Sequence, residues 1–399
     1  MRQTPYYVFD TDEFSKRAAM IRAALDCKGG RRIPLCFSIK ANPFLLHRLP
    51  EGLDHVEVCS PGELEICIAL GVKPESIIYS GVMKEKCDIE RAVSYGAGIL
   101  TCESIRHAAL ISEVMLECIQ EGAHEAEFAE TKAHVILRLT SGNQFGMSLD
   151  DIEYIISHPD EFKGITVIGI HYYSGTQKSL RKINKDLEKI KSALVMLKDK
   201  YSFEPQFVEY GPGLCVEYFE EDWQEKEKQS LDEAAEVLRE FAEEYPLGIE
   251  MGRFLAASCG KYYTQVKDLK STGDANYAIL DGGIHHLNYF GQRMAMQVPP
   301  ISIYRAAGVE FTELPDTDYT LCGSLCTVAD VLVREVKLKK LELGDVLEFG
   351  HCGAYSVTEA PALFLSRQLP AIYAYSKEYG YECLREHIPA AEINLAGKK

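Results

Sequence analysis

From about residue 35 to residue 250, short apolar runs rich in β-branched and aromatic residues alternate with stretches whose apolar positions recur three and four apart. The short runs are PLCFSIK, DHVEVCS, SIIYSG, AGILTCE, HVILRLT, ITVIGIHYYSG, PQFVEYGPG and LGIEMGR, eight in all. Between them lie PGELEICIALG, KEKCDIERAVSYG and the long KINKDLEKIKSALVMLKDKY, each with helical periodicity. Eight strands alternating with helices predict a (β/α)8 barrel of the TIM type, although a doubly wound sheet shows the same alternation. The polar residues favour the barrel, because they gather at the C-terminal ends of the runs: Lys40, Glu57 with Ser60, Ser80, Glu103, Arg138, His171 through Thr176, Gly211 with Gly213, and Glu250 with Arg253. In a barrel those ends converge on one mouth, where such folds carry their chemistry.

After Arg253 the texture changes. KYYTQVKDL, NYAILDGG, YTLCGS, DVLVREVKL, DVLEFG, AYSV and LPAIYAYS follow one another with few helical stretches, which predicts a mainly β domain. The opening YYVFD is β-like and precedes a helix that Asp10 or Thr11 can cap, yet the eight-strand count is already complete. It is expected to complete the C-terminal sheet. The expected organisation is an N-terminal strand and helix over 1–26 associated with the β domain, a barrel over 27–258 and a β domain over 259–399. The charged segment from 220 to 245 is expected to be a solvated barrel helix.

Composition narrows the function classes. Forty-three basic residues against sixty acidic ones give a net charge of −17, which disfavours nucleic acid and anionic membranes as partners while permitting a local pocket for a small anion. Thirteen cysteines without framework spacing suit reduced thiols in a cytoplasm. The start, MRQTPYYVFDTDEF, has no signal-peptide layout, and no apolar run approaches the ~20 residues of a membrane span. His285-His286 and His351-Cys352 belong to no complete set with zinc-like spacing, so no metal is expected, and Cys322 with Cys326 is not a CxxC motif.

Lys40 ends an apolar run and is followed by Ala41-Asn42-Pro43, which places its side chain at the barrel interior. A lysine so placed is costly unless it is neutral, paired or covalently used; a salt bridge or a Schiff base to an aldehyde cofactor each resolves the cost. Ser174-Gly175-Thr176, Gly211-Pro212-Gly213 and Gly252-Arg253 can bring backbone N–H groups close to a phosphate, with Arg253 adding charge. With Glu250 as a carboxylate for a pyridine nitrogen, these groups meet the needs of pyridoxal phosphate.

The blocks FSIKAN, VEVCSPGEL, IIYSGVMK, GIHYYSGTQ, YGPG, EMGR, DGG, GSLCTVAD and HCGAY occur in the order and spacing of the fold type III pyridoxal-phosphate decarboxylases, and the chain resembles most the diaminopimelate decarboxylase branch, from YYVFD to GAYS. The resemblance implies an alanine racemase-like barrel with a β domain, and decarboxylation of an amino acid. Lys40 resembles the Schiff-base lysine, with Glu57 beside it. Tyr173 stands where the family has a histidine stacked on the cofactor ring. Thr176, Gly211, Gly213, Gly252, Arg253 and Tyr355 resemble the phosphate site, Glu250 the pyridine-nitrogen partner, and Arg138 an arginine near the cofactor. Cys326 and Asp330 resemble the motif that reaches into the neighbouring subunit's site, which implies a homodimer with shared sites and makes Cys326 the candidate proton donor, with Lys40 second.

The departures from the family pattern bear mainly on substrate. Pro212 interrupts the usual glycine run and lacks an N–H. Met251 replaces the usual proline, and Tyr173 cannot act as an imidazole donor. Thr327 stands where diaminopimelate decarboxylases carry a glutamate that grips the distal amino group, and the usual carboxylate-binding pattern is missing, with Arg293 a rough substitute. Another amino acid, a carboxylated polyamine or an amino acid tethered to a carrier protein therefore competes with diaminopimelate. An amino-acid racemase of the same fold and a non-catalytic, cofactor-binding regulatory relative are the alternatives.

Overall fold

The computed structural model describes residues 2–26, 29–121, 132–306 and 314–397. The chain forms two compact units: Arg17–Cys215 with Lys226–Phe254, and Met1–Lys16 with Val216–Glu225 and Leu255–Lys399. It opens with β1 (Tyr6–Asp10) and α1 (Thr11–Leu25). The first unit is a closed barrel of eight parallel strands: β2 (Leu35–Ser38), β3 (His55–Val58), β4 (Ile77–Tyr79), β5 (Ile99–Cys102), β6 (Ala133–Arg138), β7 (Ile165–Tyr173), β8 (Phe207–Gly211) and β9 (Leu247–Met251). The expected eight runs supply these eight strands, so the doubly wound alternative is set aside.

Between the strands run α2 (Pro61–Ala69), α3 (Lys86–Tyr95), α4 (Ile105–Glu121), α5 (Leu149–Ser157), α6 (Leu180–Tyr201) and α7 (Trp223–Glu244). On α6 the buried Ile183, Leu187, Ile190, Leu194 and Leu197 fall four and three apart, the spacing that lays one apolar stripe on the barrel. The charged segment 220–245 is helical as α7, with Leu231, Ala234, Leu238 and Phe241 buried. It is not wholly solvated: Glu227 is buried and pairs with buried Arg17 at 2.8 Å.

Strand alternation fills the barrel in layers. Cys36, Ile78, Ile99, Ile136, Ile168 and Phe207 form an apolar cluster. One strand-repeat further toward the C-terminal ends come Ser38, Glu57, Ser80, Thr101, Arg138, His171, Glu209 and Glu250, and beyond them Lys40, Cys59, Glu103, Tyr173, Gly211 and Gly252. Polarity thus rises toward the mouth, and the apolar floor closes the other end.

The second unit holds a nine-stranded sheet of β1 with β10 (Gly260–Thr272), β11 (Ala275–Leu280), β12 (Ile301–Tyr304), β13 (Asp316–Cys322), β14 (Val331–Lys339), β15 (Val346–Phe349), β16 (Ala371–Ser376) and β17 (Gly380–Arg385). β1 lies between β10, antiparallel, and β16, parallel, so the N-terminal strand completes this sheet as expected. Tyr6 stacks on Tyr263 across the pair with ring centroids 4.6 Å apart.

Three details differ from the sequence reading. AYSV is not a strand: Tyr355 has φ 67° and starts a short helix, and a left-handed residue ends strand pairing. β12 and β17, whose residues are mostly half-buried or exposed, carry too little apolar alternation to be read from sequence. Residues 216–225 group with the β unit because Tyr218 and Phe219 pack on Tyr289, with centroids 6.0 and 5.9 Å apart, and Trp223 meets the His351 ring at 4.6 Å. The boundary expected at 26/27 meets Cys27 and Lys28, which lie outside the described residues.

Candidate active site

Lys40 sits in a single 3-10 turn directly after β2, followed by Asn42, whose side chain accepts from Phe44 N and starts the next turn. Its Nζ donates to Glu57 Oε2 at 2.9 Å and Glu250 Oε1 at 3.3 Å, and lies 3.6 Å from Cys59 Sγ. The lysine side chain is 34% exposed while those of Glu57 and Glu250 are 3% and 6% exposed. The amine is therefore the reachable end of a buried acidic floor, more accessible than the sequence suggests.

Glu250, on β9, is braced on both oxygens: Ser38 Oγ donates to Oε1 at 2.7 Å, and His171 Nε2 is 3.1 Å from Oε2. Burial by itself raises this carboxyl, but the Lys40 ammonium, the His171 ring and the Ser38 hydroxyl outweigh it and hold Glu250 well below the usual carboxylate range. Glu209, one strand away on β8, is in the opposite condition. It is fully buried, and among the described residues no nitrogen or oxygen donor reaches either oxygen; burial together with the charges of Glu250 and Glu57 pushes its carboxyl well above that range, opposed by Lys40 and by the Cys36 thiol. His171, Glu209 and Glu250 present ligand atoms within 4.8 Å of one another.

Arg138 ends β6 and gives its NH1 to Glu103 Oε1 at 2.5 Å, while Gly146 N donates to the other oxygen of Glu103. The arginine is thus neutralised by a buried acid that the sequence shows only as a strand-end residue. Tyr173 ends β7 with its ring against Gly211: a Cβ built on Gly211 falls 2.5 Å from Tyr173 Cδ2, so glycine is what lets the ring approach the end of β8.

The turns after β7 and β8 touch each other. Gly213 has φ +56°, and a Cβ there falls 2.2 Å from Gly175 O and 3.1 Å from Thr176 Cα. Among the described residues, the N–H groups of Gly175, Thr176 and Gly213 donate to no protein acceptor. Gly252 leads into α8 (Arg253–Ala256), and a Cβ added to it would fall 3.1 Å from Ala41 Cβ.

Tyr355, Arg293, Cys326, Thr327 and Asp330 belong to the β unit. Cys326 and Arg293 are exposed and Thr327 is half-buried. Asp330 is buried, and its carboxylate accepts from Ile284 N at 2.8 Å and Leu325 N at 2.7 Å. Through these two bonds Asp330 holds the GSLC loop in shape. The His285 and His286 rings lie 3.8 Å apart, tilted by 42°, and burial lowers the proton affinity of both, with His286 bound to Tyr262 OH and Gln368 O.

Sequence reasoning missed Ser38, Cys59, Glu209, Lys178 and Asp186. Ser38 and Glu209 had a signal: each stands two positions before a mouth residue, Lys40 and Gly211, and so on the same face of its strand. Lys178 and Asp186 had none, because their meeting depends on how α6 follows the turn after β7.

A reachable amine over an ionised carboxylate, an aromatic ring laid on the wall, and glycine turns with unpaired N–H donors fit an aromatic aldehyde that carries a ring nitrogen and a phosphate. Residues 11–257 match the model of the family described as pyridoxal-dependent decarboxylase, pyridoxal binding domain. The L-glutamyl-[BtrI acyl-carrier protein] decarboxylase of Niallia circulans is 26% identical, over 98% of this chain and 93% of that one. The 2-[(L-alanin-3-ylcarbamoyl)methyl]-2-hydroxybutanedioate decarboxylase of Staphylococcus aureus is 29% identical, over 84% and 86%. The crystal structure of diaminopimelate decarboxylase from M. jannaschii superposes with a TM-score of 0.80 at 23% identity, covering 98% of this chain and 91% of that one. Lysine at the mouth, acid beneath it and a family match across the whole barrel lead to one assignment: the chain belongs to the fold type III pyridoxal-dependent decarboxylases, amino-acid carboxy-lyases that use pyridoxal phosphate.

Proposed function

We propose that this decarboxylase acts on an amino acid whose far end is acyl-linked rather than a free amine. The observation that carries the reading is Thr327, a neutral side chain whose hydroxyl lies 3.3 Å from Ala329 N, in the place of an acid that would pair with a distal ammonium. An ammonium brought beside it gains no charge partner, whereas an amide or thioester loses nothing. Two relatives support the reading, since one acts on a glutamyl group on an acyl-carrier protein and the other on an alanine joined through a carbamoyl group.

In this proposal Lys40 Nζ holds the cofactor carbon, and Glu57 takes the lysine proton when the amine must act as a nucleophile. When bound there, pyridoxal phosphate supplies the electron sink for the pair left as the bond from Cα to the carboxylate breaks. Glu250, ionised and braced by Ser38 and His171, keeps a proton on the ring nitrogen. Tyr173 covers one face of the ring. Thr176, Gly213, Gly252 and Arg253 would hold the phosphate, and Arg138, balanced by Glu103, lines the approach. Cys326 delivers the proton that Cα needs after CO2 leaves.

Cys326 serves the barrel of a second copy in a homodimer. Supporting this, the β unit exposes large apolar side chains, among them Val328, Phe290, Met294, Met296 and Phe364, that a partner surface could cover. We place the protein in the cytoplasm, where the twelve described cysteines, all free thiols, stay reduced. Among the described residues no helix is long and apolar enough to cross a membrane.

The deciding experiment measures CO2 release by the cofactor-loaded protein from free amino acids, meso-diaminopimelate included, beside γ-glutamyl thioesters of pantetheine and of a carrier protein. Faster release from the acyl-linked substrates is expected. Preference for meso-diaminopimelate would remove the acyl reading, and loss of chirality without CO2 would favour a racemase.

A further inference from the structure

The two turns assigned above to the phosphate meet on a side chain that the chemistry does not use. Lys178 stands just after the first turn, and its side chain has 0% exposure. Its Nζ donates to Asp186 Oδ2 and to Gly211 O, each at 2.8 Å, and its backbone N–H donates to Gly213 O at 2.9 Å. The ammonium also stands over two rings, 4.9 Å from the centroid of Tyr210 and 5.5 Å from that of Tyr173. Asp186, on α6, accepts on the same oxygen from Ser174 Oγ at 2.6 Å and Tyr210 OH at 3.1 Å. Ser174, Lys178, Asp186, Tyr210, Gly211 and Gly213 therefore form one closed network that ties both turns and the Tyr173 ring to the first turns of α6.

Burying an ammonium costs several kcal/mol unless it is paired and hydrogen-bonded, so a lysine here needs a reason beyond filling space. Burial lowers its affinity for a proton, and Asp186 opposes that fall. The reason lies in where the carbonyls point. In a trans peptide the C=O and the following N–H face opposite ways. Lys178 draws the carbonyls of Gly211 and Gly213 toward itself, which turns the N–H of Leu214 away from it, and among the described residues Gly213 and Leu214 N–H donate to no protein acceptor. Pro212, between them, has no N–H to offer. The turn therefore has fewer donors than a run of glycines, and those it keeps must be held in place.

We propose that Lys178 is a positioning residue for the cofactor phosphate, acting through the Gly211 and Gly213 carbonyls and through Asp186 to hold both turns in the spacing a phosphate needs. This rests on the phosphate placement proposed above. The phosphate-free analogue pyridoxal reaches Lys40 without using the turns, so it separates the two roles a buried lysine can have. A residue that merely supports the fold affects pyridoxal phosphate and pyridoxal alike.

The test uses full-length protein stripped of cofactor, with association followed by the absorbance of the lysine-bound aldehyde. Lys178→Met is expected to weaken pyridoxal phosphate about tenfold or more, to leave pyridoxal within about twofold, and to shift the phosphorus NMR resonance of the bound cofactor. Ser174→Ala, which removes one hydrogen bond from Asp186 and no charge, is expected to weaken pyridoxal phosphate about threefold, and it decides the matter if Lys178→Met does not fold. Equal losses for both aldehydes, or no loss for either, would overturn the assignment. Gly213→Ala separates the two levels of inference. If it lowers the preference for pyridoxal phosphate while the Lys178 and Ser174 variants do not, Lys178 has no positioning role; if it too leaves the preference untouched, the phosphate lies elsewhere.

Discussion

Glu250 and Glu209 project into one barrel from neighbouring strands, and their surroundings push the two carboxyls in opposite directions. The difference is one of partners: Ser38, Lys40 and His171 surround Glu250, while among the described residues no nitrogen or oxygen donor reaches Glu209. Glu209→Gln is expected to keep kcat within about threefold of wild type, because an amide copies a neutral carboxyl. On the role proposed for Glu250, Glu250→Gln should lower kcat by roughly two orders of magnitude, since it would remove the charge that keeps the ring nitrogen protonated. Steady-state CO2 release compares them, and similar losses in both would mean that Glu209 is ionised. The pH dependence gives a second check. A carboxyl raised by folding stabilises fully only below its unfolded value of ~4.3, and that stability declines as pH rises toward the folded value. As pH rises above ~4.3 the cofactor-free wild type should therefore lose stability relative to Glu209→Gln until the folded-state carboxyl itself ionises. Glu250, lowered by folding, works in the reverse direction, with its stabilisation present above ~4.3 and lost as acid passes its folded value. Parallel urea midpoints across that range would contradict the neutral state of Glu209.

At the scale of elements, the corner from β3 into α2 brings a cap and a catalytic strand end together. Ser60 is extended at φ −152° and accepts from Glu63 N at 3.2 Å, Pro61 occupies the first helical position, and Glu63 Oε2 accepts from Cys59 N at 2.6 Å. This S-P-G-E corner is a capping pattern, with the glutamate reaching one residue further back than in the usual box. Ser60→Ala is expected to cost about 1 kcal/mol of stability. Because Cys59 Sγ lies 3.6 Å from Lys40 Nζ, a loosened corner should also weaken pyridoxal itself, unlike Lys178→Met. Urea unfolding and the two-aldehyde titration measure these effects, and an unchanged midpoint would show that Pro61 suffices to start the helix. Elements with strong local signals were legible in sequence, α6 by its stripe and the barrel strands by their apolar runs. β12 and β17 were not, since their residues are chosen by their sheet partners rather than by a pattern of their own.

At the scale of the whole molecule, the shared-site proposal makes a prediction that no single chain can satisfy. Lys40→Ala and Cys326→Ala are each expected to turn over poorly. Mixed and allowed to exchange subunits, they should recover about a quarter of wild-type activity, because half the dimers are hybrids and each hybrid has one intact site. No recovery, with subunit exchange verified, would place both residues' action within one chain. The order of strands, the turn toward β structure after Arg253 and the polar residues at the strand ends could all be read from the sequence, because they follow from periodicity and from which residues lie beside glycine. That Lys40 and Glu250 lie at the strand ends was legible for the same reason. The charge states of Glu209 and Glu250, the Arg138–Glu103 pair, the network around Lys178 and the placing of 216–225 with the β unit were decided only by tertiary structure. Each depends on which side chains, distant along the chain, share one buried space, and solvent exclusion and partners there set the charge a residue carries.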